Sequence, residues 1–195
     1  MFAEPLAKLR FQHFSCRAKR YLFDKYDIIG HPPLGKAFGE EALEVLAVES
    51  ARPAAQGVVR FHGGVAQVLR GNWQQGLLEL RRGITLLREQ GINFSWELAS
   101  AQYFALLCLG LLGRWREIRE RLPGIVADAR QRGDRFGETT VLARVGQIPW
   151  LIQDRPRDAE EEIGAAVAAW SKDGFYLQHY FGLISLGEVS LYATH

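Results

Sequence analysis

At 195 residues the chain has the length of one ordinary domain, and 48% apolar residues are ample for a core. With 24% charged residues and a net charge of +2, the composition excludes a disordered polyelectrolyte and gives no electrostatic ground for a nucleic-acid or anionic-lipid partner. Cys16 and Cys108 have no CxxC spacing and read as buried thiols of a reducing compartment.

In chain order, residues 5–24 carry Leu6, Leu9, His13 and Cys16 on one helical face, with a basic flank of Lys8, Arg10, Arg17, Lys19 and Arg20. Those charges also break up any secretory signal. Gly30 to Lys36 matches the GxxxxGK phosphate-loop pattern, but Pro32 and Pro33 have no backbone N–H to offer a phosphate. Ala37 stands where the magnesium-binding hydroxyl is needed, so the stretch reads as a Pro-rich linker. The expected organisation is a basic helical segment and linker over 1–35 and a helical array over 36–195.

From Lys36 on, every segment has helical spacing. Residues 37–50 form a first helix with acidic Glu40, Glu41 and Glu44 on its flank. Helices are then expected at 53–70, opened by Pro53, and at 73–90, with Leu77, Leu80, Ile84 and Leu87 on one face and Gly91 as its end. Ser95 is the expected cap of 95–112, whose stripe is Leu98, Ala101, Ala105, Cys108 and Leu112. The span 115–132 contains Pro123, which predicts a kink or break there. Asp134 is expected to cap 135–153, and Pro156 to open 156–172, with Asp158, Glu160, Glu161 and Glu162 early in that helix. A last helix covers 175–193. The longest apolar run, Phe104 to Leu112, holds Gly110 and is far short of the ~20 residues of a membrane helix. The chain reads as soluble and cytoplasmic, with no membrane or direct nucleic-acid contact.

Three marks share one beat. Leu69, Gly71 and Trp73 return as Leu111, Gly113 and Trp115, 42 residues on. Gly91, Gly133 and Gly174 keep intervals of 42 and 41, as do Gly63, Ala105, Gly146 and Gly187 at 42, 41 and 41. In the second helices Leu80 matches Leu122, Ile84 matches Val126 and Arg88 matches Arg130. The expected fold is all-α: a right-handed superhelix of antiparallel helical hairpins, a TPR-like α-solenoid of period about 41–42 residues. The hairpins pair 53–70 with 73–90, 95–112 with 115–132, and 135–153 with 156–172. The small residues at 63, 105, 146 and 187 are expected to let the second helix approach closely. The fourth hairpin has only its first helix, so the array is expected to be truncated or continued elsewhere.

The series Ser95–Gln102, Leu112-Gly113-Arg114, Leu122-Pro123, Ala129–Asp134 and Thr139-Thr140, then Trp170, Gly174-Phe175, Leu177–Tyr180 and Leu191-Tyr192, resembles a known family. It is similar to the C-terminal tetratricopeptide-like region of large bacterial serine/threonine protein kinases that also carry an ATPase-like module. The resemblance spans roughly residues 55–193. It implies a sensor or docking arm of a signalling protein and not its engine, because no His-Arg-Asp or Asp-Phe-Gly occurs in this chain.

No catalytic, metal or cofactor signature stands out. His62-Gly63-Gly64 has the look of an esterase oxyanion loop, but no GxSxG elbow accompanies it. The five histidines have no metal-ligand pairing. Seven arginines from Arg114 to Arg135 face Glu117, Glu120, Asp128 and Asp134 and read as a solvated face of i,i+4 pairs. Arg60, Gln67, Gln102, Arg144, Gln147, Gln178 and His179 are the candidates for a groove lined by the first helices. Gln178 and His179 read equally as a helix–helix hydrogen-bonding pair. The function expected is a non-catalytic module that binds a protein, a peptide or other domains of its own chain, or that senses a regulatory ligand. The alternative is the sensor arm of an ATPase-type (STAND-like) transcription regulator that binds a small molecule.

Overall fold

The computed structural model describes residues 53–89 and 94–194. The expectations for residues 1–52, including the Gly30–Lys36 motif, the helix at 37–50, Cys16 and the boundary at 35/36, lie outside the described residues, as does Gly91. Among the described residues the chain is all-helical, with no strand. The helices are α1 (Pro53–Leu69), α2 (Trp73–Arg88), α3 (Ser95–Leu111), α4 (Trp115–Gln131), α5 (Arg135–Val145), α6 (Gln147–Leu151), α7 (Pro156–Ala168) and α8 (Leu177–Ala193).

Left-handed turns mark out the helices. Gly71, Gly113 and Gly133 follow α1, α3 and α4 at φ of 82°, 69° and 66°, a region glycine enters without Cβ strain. The same hydrogen-bond pair closes each turn. Gly71 N–H donates to the Val68 carbonyl at 3.0 Å and Asn72 N–H to Gln67 at 2.9 Å; Arg114 reaches back to Leu109 and Asp134 to Ala129, both at 2.8 Å. After α6 the position is held by Asp154 at φ 56°, with Arg155 N–H on the Trp150 carbonyl at 3.0 Å. Gly71, Gly113 and Asp154 thus carry the beat of 42 and 41 into backbone geometry. Its interleaved partner, Gly133 and Gly174, is left-handed as well.

Each helix packs on its chain neighbours, and α1 also meets α3, α3 meets α5, and α5 meets α8. The helices α3 and α5 are therefore covered on several sides. In α3 the buried set runs from Glu97 to Leu109 and includes Ala99, Leu106 and Leu109 beside the expected stripe. The helices α2, α4 and α7 keep one buried face and one wet one. Leu80, Leu122 and Ile163 on them are buried to 0%, 4% and 0% exposure at spacings of 42 and 41. Burying each such side chain stabilises the fold by about 2 kcal/mol. The α7–α8 end has its own small core of Ala159, Ile163 and Val189, packed with Trp150, Leu151, Val167 and Leu186.

Four expectations need correction. The span 135–153 is two helices separated at Gly146, because Pro149 lies within it and would leave the carbonyl of buried Val145 without a donor. Pro123 does not break α4, which is continuous around it. The carbonyl it frees, on Arg119, belongs to an exposed residue that water can serve. Ser95 is the first residue of α3 and not its cap; Phe94 holds the cap position. Finally, the beat of small residues does not mark a close approach at Gly187. A Cβ on Gly187 would meet nothing within 4 Å, and one on Gly146 would run into the Leu142 carbonyl of its own chain segment. The glycines that bring α1 and α2 together are Gly57 and Gly64 facing Gly76 and Gly83, each pair seven residues apart. A Cβ at Gly83 would stand 3.1 Å from the Gly57 carbonyl oxygen, and one at Gly76 would stand 3.1 Å from that of Gly64. Asp134, by contrast, caps α5 as expected, its Oδ1 accepting from Gly137 N–H at 2.9 Å.

Candidate functional site

The seven groove candidates do not converge. Arg60 pairs with Glu79 at 2.6 Å between α1 and α2, and Gln67 accepts from Asn72 Nδ2 at 2.9 Å in the turn that follows α1. His179 takes the Tyr176 backbone N–H on Nδ1 at 3.0 Å and stacks on Phe175 and Tyr176, so it ties down the start of α8.

Arg144 of α5, Gln147 of α6 and Gln178 of α8 form a polar seam between α8 and the α5–α6 pair. Gln147 Nε2 donates to Glu188 Oε2 at 2.6 Å, Arg144 pairs with Glu188 at 3.2 Å, and Ser185 Oγ donates to the Arg144 carbonyl at 3.3 Å. Gln178 Nε2 reaches Thr140 Oγ1 at 3.2 Å in the buried part of the seam. Gln147 Nε2 and Gln178 Nε2 are taken up by Glu188 and Thr140, so these amides register one helix on the next. Thr140, Ser185 and Glu188 were missed from sequence. The readable signal was the period, since Ser185 and Glu188 stand 41 residues after Arg144 and Gln147.

Gln102 is different. It lies in α3, which forms the floor of a cleft of about 740 Å³ between α2 and α4. Ile84 of α2 and Ile125 of α4, both half-buried, supply its apolar surface, while Leu77, Leu106 and Leu109, which also line it, are nearly fully buried. Gln102 is 2% exposed, and its Nε2 has no hydrogen-bond partner. The cleft exists because the second helices α2 and α4 do not pack closely, while α3 holds both.

A charge cluster joins α2 to α4 across this cleft. The Glu117 carboxylate receives Arg121 Nε at 2.6 Å, and also the guanidiniums of Arg114 and of Arg81, the last from α2. Burial alone would raise the Glu117 pKa, but the Arg121 hydrogen bond and the three positive charges outweigh it and hold the carboxyl below its ordinary value. On Arg81 burial and the neighbouring Arg121 and Arg114 prevail over Glu117 and pull the pKa down. Of the remaining arginines of the stretch, one makes the expected i,i+4 pair and Arg135 donates instead to the Ala169 carbonyl oxygen at 2.5 Å. Arg132 meets Asp128 at 3.0 Å and Arg130 meets Glu138 at 2.6 Å.

Other chemistry is accounted for locally. His62 lies within α1 with Nδ1 2.9 Å from the Val58 carbonyl, and Gly64 packs against Leu80, so the pair forms no oxyanion loop. Cys108 is fully buried, which pushes its thiol pKa up to about 11, far from a nucleophile's range. Among the described residues no three acidic, histidine or cysteine side chains cluster as metal ligands, and no helix is long and apolar enough to cross a membrane. Comparison with protein-family models, with curated proteins and with solved structures finds no match to this chain.

Proposed function

We propose that the chain is a non-catalytic helical-repeat module, a right-handed TPR-like superhelix of antiparallel hairpins, serving a bacterial serine/threonine kinase-type signalling protein. In that setting it docks a protein or peptide, including other domains of its own chain, or senses a regulatory ligand. The observation that carries the reading is the succession of first helices: α1 leans on α3, α3 on α5 and α5 on α8, with left-handed turns at Gly71, Gly113 and Asp154 keeping one period. Nucleophile and general-base geometry would instead require titratable side chains converging in a cavity. The titratable groups lining the α2–α4 cleft are arginines and carboxylates, largely taken up in ion pairs. The kinase setting rests on the resemblance over residues 55–193.

Two experiments test it. The reading frame upstream is expected to encode a Gly-rich loop, a lysine strand, and His-Arg-Asp and Asp-Phe-Gly motifs; a frame without them contradicts the kinase setting. The chain itself, incubated with γ-labelled ATP and casein, is expected to transfer no label. Transfer would contradict a non-catalytic role.

The sensing half of the reading is favoured by one specific observation, the cleft with Gln102 on its floor. It fits equally the sensor arm of an ATPase-type (STAND-like) transcription regulator that binds a small molecule. A helix-turn-helix encoded downstream in the same frame would decide for that alternative.

A further inference from the structure

We propose that the cleft between α2 and α4 binds a small amphipathic carboxylate, its oxygen hydrogen-bonded to Gln102 and its apolar body lying against Ile84 and Ile125. This rests on the sensing half of the function proposed above and names its ligand class.

The first ground is an unmet donor. A buried amide N–H without a partner is destabilising, and native interiors rarely leave one so. Gln102 Nε2 is such a group, in a residue that lines the cleft. The terminal torsion of glutamine is broad, so a small rotation presents the N–H to an acceptor entering from the cleft. A carbonyl or carboxylate oxygen is the chemistry that satisfies it.

Size is the second ground. From Leu77 to Arg88 the α2 wall runs about 16 Å. The cleft holds roughly 740 Å³. Small-molecule sites fall in the range of about 300–1,000 Å³ with mostly apolar walls and few polar groups. The cleft is therefore of a size that suits a small ligand.

Charge is the third. Arg88 closes α2 on the cleft wall and makes no ion pair among the described residues, while Asp128 opposite is taken by Arg132 at 3.0 Å. Arg81, Arg114 and Arg121 share the single Glu117 carboxylate, and that surplus offsets Glu120, the other acid on the walls. Positive charge is left over for an anionic head group.

Decanoate and decanol are the probes, titrated calorimetrically into the whole chain. Decanoate is expected to bind one site per chain at least about tenfold more tightly than decanol, as a charge-assisted hydrogen bond warrants. Gly124→Leu is the substitution chosen to block the cleft: Gly124 lines it, and a Cβ there meets nothing within 4 Å. It is expected to abolish decanoate binding without lowering the melting temperature, since leucine also favours helix over glycine. Gln102→Leu is expected to weaken decanoate about tenfold while raising the melting temperature, because the unmet donor is gone. No binding by the wild type, equal binding of the two probes, or undiminished binding by Gly124→Leu overturns the proposal. Failure of decanoate with no label transfer from ATP sinks the cleft alone. Label transfer sinks the functional reading and leaves the cleft to be judged by decanoate.

Discussion

Gly64 and Leu80 meet where α1 crosses α2, the Cβ position of Gly64 lying 2.6 Å from Leu80 Cγ and 3.0 Å from the Leu80 backbone nitrogen. Leu80 is fully buried, so neither atom has room to give. Replacing an exposed helical glycine by alanine gains about 1 kcal/mol, whereas forcing atoms into a filled contact costs about 1–3 kcal/mol. Gly64→Ala is therefore expected to destabilise the chain by about 1–2 kcal/mol, read from urea unfolding. Gly187→Ala, with open space around its Cβ, is expected to stabilise by about 0.5–1 kcal/mol. Equal effects of the two would mean that α1 and α2 are not held this closely.

How much of this was legible follows from which signals are periodic. The turn glycines at 71 and 113 repeat in sequence because the turns after α1 and α3 need the same left-handed residue, and the helix ends fall within a residue or two of expectation there. Glycines 57, 64, 76 and 83 belong to the first hairpin only, so a search for a shared beat passes over them. The regular glycine spacing at 63, 146 and 187 was visible, but at 187 it faces open space. The two mid-span prolines look alike on paper. Their outcomes differ through the burial of residues 119 and 145, which only tertiary packing decides. The cleft was half legible: Gln102 stood among the candidates, but the helix at 73–90 showed only its packing stripe and the arginines of 114–135 only a solvated face.

The Glu117 cluster ties α4 to α2, and its carboxyl pKa is held below the ordinary 4.5. A folded-state pKa below the unfolded one contributes stability that is fully present above the ordinary value. That stability is lost as the pH falls through the lowered one. Glu117→Gln is expected to lower stability at pH 7 by about 1–2 kcal/mol and to flatten the acid dependence below about pH 4.5, read as unfolding midpoints at several pH values. Raised salt shrinks the difference. A variant whose midpoints fall with acid as steeply as wild type would remove Glu117 from the account.

In the α5–α8 seam, Thr140→Val leaves the Gln178 amide buried without its partner. The expected cost is about 1–3 kcal/mol. Adding Gln178→Leu is expected to recover most of it, since removing both members of a buried pair is far cheaper than removing one. A double-mutant cycle in which the two losses simply add would show that the 3.2 Å contact carries no coupling.

Helix α8 packs through Gln178, Phe181, Gly182, Ser185 and Val189, and leaves Tyr180, Leu183 and Leu191 at 51%, 62% and 67% exposure. An apolar stripe of that kind drives association. Sedimentation is expected to show concentration-dependent self-association, reduced by Leu183→Glu with the helix content unchanged. A monomer at all concentrations would contradict this expectation.

The central claim is that stability passes from hairpin to hairpin and not through one common core, since α1 and α2 pack on each other and on α3 but not on α7 or α8. Native-state hydrogen exchange on Val189→Asp, which puts a charge into the small core of Ala159 and Ile163, tests it most directly. The expected result is a collapse of protection over residues 177–193, with the amides of 77–87 protected as in wild type. Loss of protection everywhere at once would contradict it.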